Sequence, residues 1–363
     1  MKVSSFFLKN IYNIYKVKNM KNKIIIIGKI LIYIYLSLAI FFIFNVVAGS
    51  VVYESLFYRY EFPDYNITPG LLSYEKIKDE YPRDEISYKS NGVRITGYYY
   101  HPNDSNMLVV FSHGINDVGD SLLPLHMYFV DKGYNVFSYD NAGCGKSEGR
   151  AQGFTQAFVD LDYTLSFLEE DNRFKDYKKL LVGFSCGAFA VGAIGNLEHK
   201  NIVGNITICG FNDSKTVIQE KGKVYAGPLA YFGIPVLNEL ERNKFGKYLE
   251  YSAIDGINKS NLPTLVVHSV NDPIVSTDVE SIMKRKDDIT NPNVTYLNIY
   301  NHGHGDVFYT DDALLYQKNI KNDLDKLSYE DKKNYCDKVD DHKYSKLNPI
   351  LTNAFDELCL KMA

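Results

Sequence analysis

The first 53 residues contain no acid at all; the first carboxylate in the chain is Glu54. Seven lysines and no opposing charge lie between Met1 and Lys29, and the next 24 residues, Ile30 to Tyr53, carry no charge of either sign. A helix of that length spans about 36 Å, more than the roughly 30 Å of a bilayer's hydrocarbon core. A buried core helix is a poor account of the run, because it is apolar on every face. A cleaved leader is the rival reading, with Val46-x-Ala48 as its processing site. The apolar run is long for a leader and the basic region before it is extended, so an uncleaved anchor is expected. The lysines then place residues 1–29 in the cytoplasm, 30–53 in the membrane and everything beyond Tyr53 outside.

Cysteine is scarce. The five, Cys144, Cys186, Cys209, Cys336 and Cys359, show no CxxC and no paired spacing. That indicates neither a disulfide framework nor a zinc site. Net charge is only −4, so nothing in the whole-chain balance points to nucleic acid. Internal repeats and low-complexity stretches are missing as well.

What is present begins with a lead-in, 54–84, aromatic, charged and broken by Pro63, Pro69 and Pro82; its composition reads as a stalk rather than core. From Glu85 the pattern becomes regular. Ile86–Tyr88 and Val93–Tyr100 flank Asn91-Gly92, a hairpin signal. Apolar strands follow at Met107–Ser112, Asn135–Tyr139, Lys179–Phe184, Ile202–Cys209, Thr264–Ser269 and Val294–Tyr300. Helical stretches near 121–132, 153–170 and 186–197 separate the first four. Such alternation predicts an α/β architecture with a doubly wound, mostly parallel sheet. The rhythm breaks at 211–261, an insertion carrying Tyr225, Leu229, Tyr231, Phe232, Ile234 and Leu237, which reads as a helical cap. The charge-rich end from Tyr309 reads as helix packed over the sheet.

Parallel sheets put their chemistry at the carboxyl ends of strands. Gly183-Phe184-Ser185-Cys186-Gly187 stands there, between an apolar strand and small residues suited to a helix. To raise a serine hydroxyl off a strand end the chain must turn sharply, and side chains two positions either side would collide with the neighbouring strand and helix. The order Ser, acid, His then requires an acid after a later strand and a histidine after the last. Asp272, in Asn271-Asp272-Pro273 beyond Thr264–Ser269, fits the first, with Ser276 a start for the helix after it. His304, between Gly303 and Gly305, fits the second; His302, nearer the strand, reads as structural. Asp213 is a fallback acid and Asp306 a weaker one. Two N–H donors are needed for a developing oxyanion. Cys186 and Ile115 supply them, Ile115 following the strand Met107–Ser112 through His113-Gly114. His113 is expected to hold that loop, and Cys186 to act through its backbone, since an elbow projects the central residue.

Together with Asp140-Asn141-Ala142-Gly143-Cys144-Gly145-Lys146-Ser147, which looks like an Asp-x-x-Gly-x-Gly-x-Ser loop, these motifs resemble the α/β-hydrolase superfamily from about Glu85 to the end of the chain. Within it the chain is similar to membrane-anchored bacterial hydrolases of the serine aminopeptidase S33-like (Bem46/YqkD-like) group. Two positions depart from that pattern: Asn141 replaces the usual arginine and Cys186 the usual methionine or glutamine-type residue. The resemblance implies an α/β-hydrolase fold with a helical cap behind one N-terminal transmembrane helix. It implies a serine esterase that needs neither metal nor organic cofactor. Its substrate would be a small acyl compound, with an aromatic cap suited to an amphipathic one. Peptidase, thioesterase, acyltransferase and a non-catalytic tethered binding protein are the alternatives.

Overall fold

The computed structural model describes the backbone of residues 2–68 and 72–362; it describes the side chains of these except 2–11, 13, 14, 225, 226 and 229. Pro69, Tyr225 and Leu229, named above, therefore lie outside the described side chains.

Helix α1 runs Lys2–Leu56 and a short α2 covers Tyr74–Ile77. The strands are β1 (Arg83–Ser90), β2 (Val93–Tyr100), β3 (Met107–Ser112), β4 (Asn135–Tyr139), β5 (Lys178–Phe184), β6 (Ile202–Ile208), β7 (Thr264–Ser269) and β8 (Val294–Ile299). They form one sheet in the order β1-β2-β4-β3-β5-β6-β7-β8. The β1–β2 hairpin turns at Asn91 and Gly92, both in the left-handed region, and β2 pairs antiparallel with β4. From β4 to β8 every pairing is parallel. Side-chain alternation along the strands divides the core into two layers. Val109, Phe111, Leu180, Val182, Ile206 and Val267 face α3 (Leu123–Asp131) and α12 (Pro349–Met362). Leu108, Val110, Phe137, Leu181 and Val266 face α4 (Gln156–Glu170), α5 (Cys186–Ala193) and α8 (Ala253–Ser260). Leu351, Phe355 and Leu358 dock α12; each buried side chain of this kind contributes about 2 kcal/mol.

The expected cap is narrower than 211–261. It consists of α6 (Ser214–Ala226) and α7 (Ala230–Phe245). Helix α8 belongs to the sheet layer instead: Gly192 of α5, Gly195 in the 3-10 turn that follows it, and its own Gly256 let α8 cross them at backbone distance. A Cβ on Gly195 would stand 2.2 Å from the Gly256 carbonyl oxygen. No α-helix starts at Ser276. The Asp272 carboxylate takes the N–H groups of Ile274 (2.8 Å) and Val275 (2.9 Å) into a tight turn, and only a 3-10 segment, Met283–Asp288, follows. At the far end α9 (Asp311–Leu324), α10 (Tyr329–Cys336) and α11 (Asp341–Tyr344) gather on their own small cluster, and α12 alone covers the sheet.

The lead-in 54–84 is not a free stalk. Phe57 is fully buried, and Leu72, Ile77 and Tyr81 join the core. Arg59 donates to the carbonyls of Ser147 and Gly145, both at 2.7 Å, and Tyr60 pairs backbone-to-backbone with Gly143 and Gly145. Among the described residues one helical stretch, Tyr15–Leu56, is long and apolar enough to cross a membrane. Its end therefore runs straight into the folded domain.

Candidate active site

Strands β3 and β5 are neighbours, with Ser112 opposite Gly183, so the loop after β3 and the turn after β5 emerge side by side. This is where the connections diverge to opposite sides of a parallel sheet and leave a crevice. Ser185 holds φ 56°, ψ −116°, a strained conformation for a residue with a side chain. Two things hold it there. Its N–H donates to the Ile208 carbonyl of β6 at 2.9 Å, and its own carbonyl accepts from Ala188 and Phe189 in the first turn of α5. The flanking glycines are needed for the reason given by sequence. A Cβ on Gly183 would lie 2.2 Å from the Gly187 oxygen, and one on Gly187 would lie 2.0 Å from the Ser112 oxygen.

The loop after β3 is fixed by His113. Its Nδ1 donates to the Gly114 carbonyl (2.7 Å) and its Nε2 accepts the Asn141 N–H (2.9 Å), a pattern that requires the neutral ring. Burial holds its pKa below the ordinary histidine value, in agreement. Gly114 lies against Ser185, where a Cβ would come 3.3 Å from the serine Cβ. Burial pushes the Cys186 thiol up to about 12, opposed by the N–H of Ile115, the Ser185 hydroxyl and its own N–H. Gly114, Ile115 and Cys186 line one small cavity, and the thiol stays protonated. The Asp140 loop packs behind them. Asp140 accepts from the Tyr98 hydroxyl and from the N–H groups of Gly119 and Lys146, and Ser147 Oγ donates to the Asp140 carbonyl.

Asp272 and His304 come together from the ends of β7 and β8: His304 Nδ1 donates to Asp272 Oδ2 at 2.7 Å. Burial raises the Asp272 carboxyl, but the His304 contact and the Val275 and Ile274 N–H groups outweigh it and leave it below the usual carboxylate range. From β8 to β5 is three strand spacings, roughly 14 Å. The glycine-flanked loop covers that distance, and the His304 ring lies 4.8 Å, centroid to centroid, from that of Phe184, the residue before Ser185. Among the described residues His304 has no hydrogen bond to Ser185; its ring bonds to Asp272 alone.

The other candidates are placed elsewhere. His302 Nδ1 contacts the Tyr300 carbonyl at 2.7 Å. Asp213 caps α6, accepting from Thr216 N–H at 2.8 Å, and Asp306 accepts from Gly303 N–H at 3.0 Å. Three neighbours went unnoticed in the sequence. Phe184 is one; Cys209 and His268 are the others, whose sulfur and ring nitrogen lie with an Asp272 oxygen within 4.8 Å of one another. Such a trio has metal-ligand chemistry, but His268 Nε2 is engaged by the Val275 carbonyl (3.0 Å) and Asp272 by His304 and two N–H groups. They brace the acid. The signal available was positional: His268 stands near the end of β7, the strand that leads to the acid, and Cys209 just past the end of its neighbour β6.

The sequence profile of the family described as serine aminopeptidase, S33, matches residues 103–230. The uncharacterized protein YqkD of Bacillus subtilis (strain 168) is 25% identical over 254 residues, 65% of this chain and 77% of that protein. The Pyrococcus furiosus esterase Pf2001 superposes in two crystal forms. One has a TM-score of 0.52 at 16% identity, covering 70% of this chain and 94% of the esterase. The other has 0.50 at 18%, covering 65% and 88%. At such identity the likeness to the esterase carries the fold, a hydrolase scaffold with its loops at the strand ends.

Proposed function

We propose that this chain, which has the α/β-hydrolase fold and matches the serine aminopeptidase S33 profile over residues 103–230, is a serine hydrolase cleaving an ester or related acyl bond. The observation that carries the reading is the His304–Asp272 bond at 2.7 Å reaching the strained Ser185 turn. An ionised carboxylate only accepts, so the proton of His304 sits on Nδ1 and the lone pair of Nε2 is left free as a base. In the reaction Nε2 takes the proton of Ser185 while Oγ attacks the acyl carbonyl, and Asp272 stabilises the imidazolium. The N–H groups of Ile115 and Cys186 receive the oxyanion, each contributing about 3 kcal/mol. The leaving group takes the proton from His304, and water, activated in the same way, frees the acyl group. These steps use side chains and backbone of this chain alone.

In this reading α1 is an uncleaved single-pass anchor with its lysine-rich end in the cytoplasm and the hydrolase domain on the other side.

The test is labelling of the full-length protein in detergent by a fluorophosphonate probe. Labelling that disappears in Ser185→Ala supports an activated serine. A folded wild-type protein that stays unlabelled overturns the reading.

A further inference from the structure

Where α1 enters the domain, it does not simply connect. Gly49, Val52 and Leu56 of α1 face Ile218 of α6 and Ile234 and Leu237 of α7 across a cavity of about 200 Å3 that is almost wholly apolar. Tyr53 holds this wall in place: its hydroxyl donates to Glu241 of α7, which is buried and also accepts from Phe154 N–H (2.9 Å) and the Thr155 hydroxyl (2.7 Å). At the inner end, Phe154 and Ile218 pack in one cluster with Ile115, which follows Gly114, the residue lying against Ser185. At the outer end the cavity reaches Asn45, roughly 16 Å down α1. One turn further, Phe41 meets Phe232 of α7 edge to face at a centroid distance of 5.8 Å. Around that contact α1 exposes Phe42 and Phe44, and α7 exposes Tyr231.

Resting on the serine-hydrolase reading above, we infer that this cavity is the acyl-chain site, that the membrane helix forms one of its walls, and that the substrate is a single-chain amphiphile drawn sideways from the bilayer. Three features select that occupant. The lining offers a hydrocarbon chain no unpaired charge, since Lys221, on the rim, is engaged by Glu280 at 3.0 Å. The outer end lies along the stretch that is apolar enough to sit in lipid, and the residues of the inner end pack against Ile115, next to the Gly114 that touches Ser185. A chain entering from lipid would therefore present its carbonyl end to Ser185 and leave its tail along α1.

Two glycines make the test. Gly49 and Gly233 both line the cavity, and a Cβ on either meets no atom within 4 Å, so a side chain can start from either without a backbone clash and leucine there is expected to fill space. Full-length Ser185→Ala protein in phospholipid nanodiscs is photolysed with a diazirine-bearing palmitic acid and its labelled peptides are mapped. Labels are expected on Val52–Leu56 and on 230–237, with the yield falling at least fivefold in Gly49→Leu and in Gly233→Leu. In the catalytically intact background, the dodecanoate-to-acetate ratio of p-nitrophenyl ester turnover should fall about tenfold in the same variants. Labels confined to 15–44, with yields indifferent to both leucines, would overturn the site and show that the chain only dissolves around the anchor. Cavity labelling together with a wild-type protein that ignores fluorophosphonate would keep the chain site and remove the hydrolase reading.

Discussion

Glycines in two regions of this molecule stand in opposite surroundings. At the elbow, Gly183 and Gly187 have backbone atoms where a Cβ would go, 2.2 and 2.0 Å away. Along α1 and α7, Gly49 and Gly233 have nothing within 4 Å. The first pair permits contact and the second pair leaves room. A residue with no side chain can serve a reacting group by letting backbone close in on it, or serve a ligand by standing back. Only the first use leaves a fixed spacing in the sequence, because it is set by two residues either side of one serine.

The elbow half of the comparison gives the largest expected effects. Ser185→Ala should lower ester turnover by roughly 10⁴-fold or more with the fold intact, read by kcat at saturating substrate. Turnover retained within tenfold would mean another nucleophile. Gly187→Ala comes next: with a methyl group 2.0 Å from the Ser112 oxygen, either α5 must move or β3 must. Turnover should fall at least a hundredfold, since a shift of about 1 Å at a reacting group is enough for that. A Gly187→Ala protein with normal activity would show that the elbow is looser than its contacts imply.

The cap half can be broken at Glu241. Burial raises its carboxyl above the ordinary value, while the Tyr53 and Thr155 hydroxyls, the Phe154 N–H and Lys244 act in the other direction. Glu241→Ala strands three donors in the interior and should cost about 3 kcal/mol, measured by denaturant unfolding of the full chain in detergent. Glu241→Gln, which keeps an acceptor and a hydrogen bond to Thr155, should cost less than half of that. Equal costs would mean that packing, not hydrogen bonding, joins α1 to α7.

The same contrast decides what could be read without coordinates. Strands β3, β4 and β7 have the bounds their apolar runs imply, and Asp272 and His304, 32 residues apart, meet as the Ser, acid, His order requires. Each of these follows from local periodicity plus one topological rule. The rest depends on contacts between distant parts of the chain. Tyr53 and Glu241 are 188 residues apart, and nothing near either marks the pairing. Helix α8 reads as cap because its glycine contact with α5 is invisible in its own sequence. The 54–84 segment reads as a stalk because its aromatic residues find partners only in the Asp140 loop and the core. The last miss is at Ser276: the Asp272 carboxylate gathers the N–H groups of Ile274 and Val275 into a turn, and the chain after it continues without an α-helix.

A second buried carboxylate sharpens the comparison from the site side. Asp160 accepts from Ser90 Oγ (2.6 Å) and from the Ala142 N–H of the Asp140 loop (2.8 Å), and burial raises it to about 6 despite those bonds. The folded state therefore holds this proton more tightly than the unfolded state, whose carboxyl titrates near the ordinary 3.8. The stabilising contribution is complete below the unfolded value and is lost as pH rises from about 4 to about 6, up to about 3 kcal/mol. Unfolding free energies across that window should fall with pH, and Asp160→Asn should flatten the slope by this amount. A slope unchanged in Asp160→Asn would assign it to other carboxylates.

The smallest effect closes the contrast between the two kinds of glycine. Gly233→Ala places a methyl group in open space within α7, and alanine is the better helix former by about 1 kcal/mol. The variant should be more stable than wild type by about that amount, the opposite sign to Gly187→Ala. A single methyl fills little of the cavity, so the preference for long over short esters should barely move, whereas leucine at the same position should lower it about tenfold. If alanine at 233 destabilises instead, the helix is held there by something tighter than its surroundings show, and the cavity is smaller in solution than an acyl chain requires.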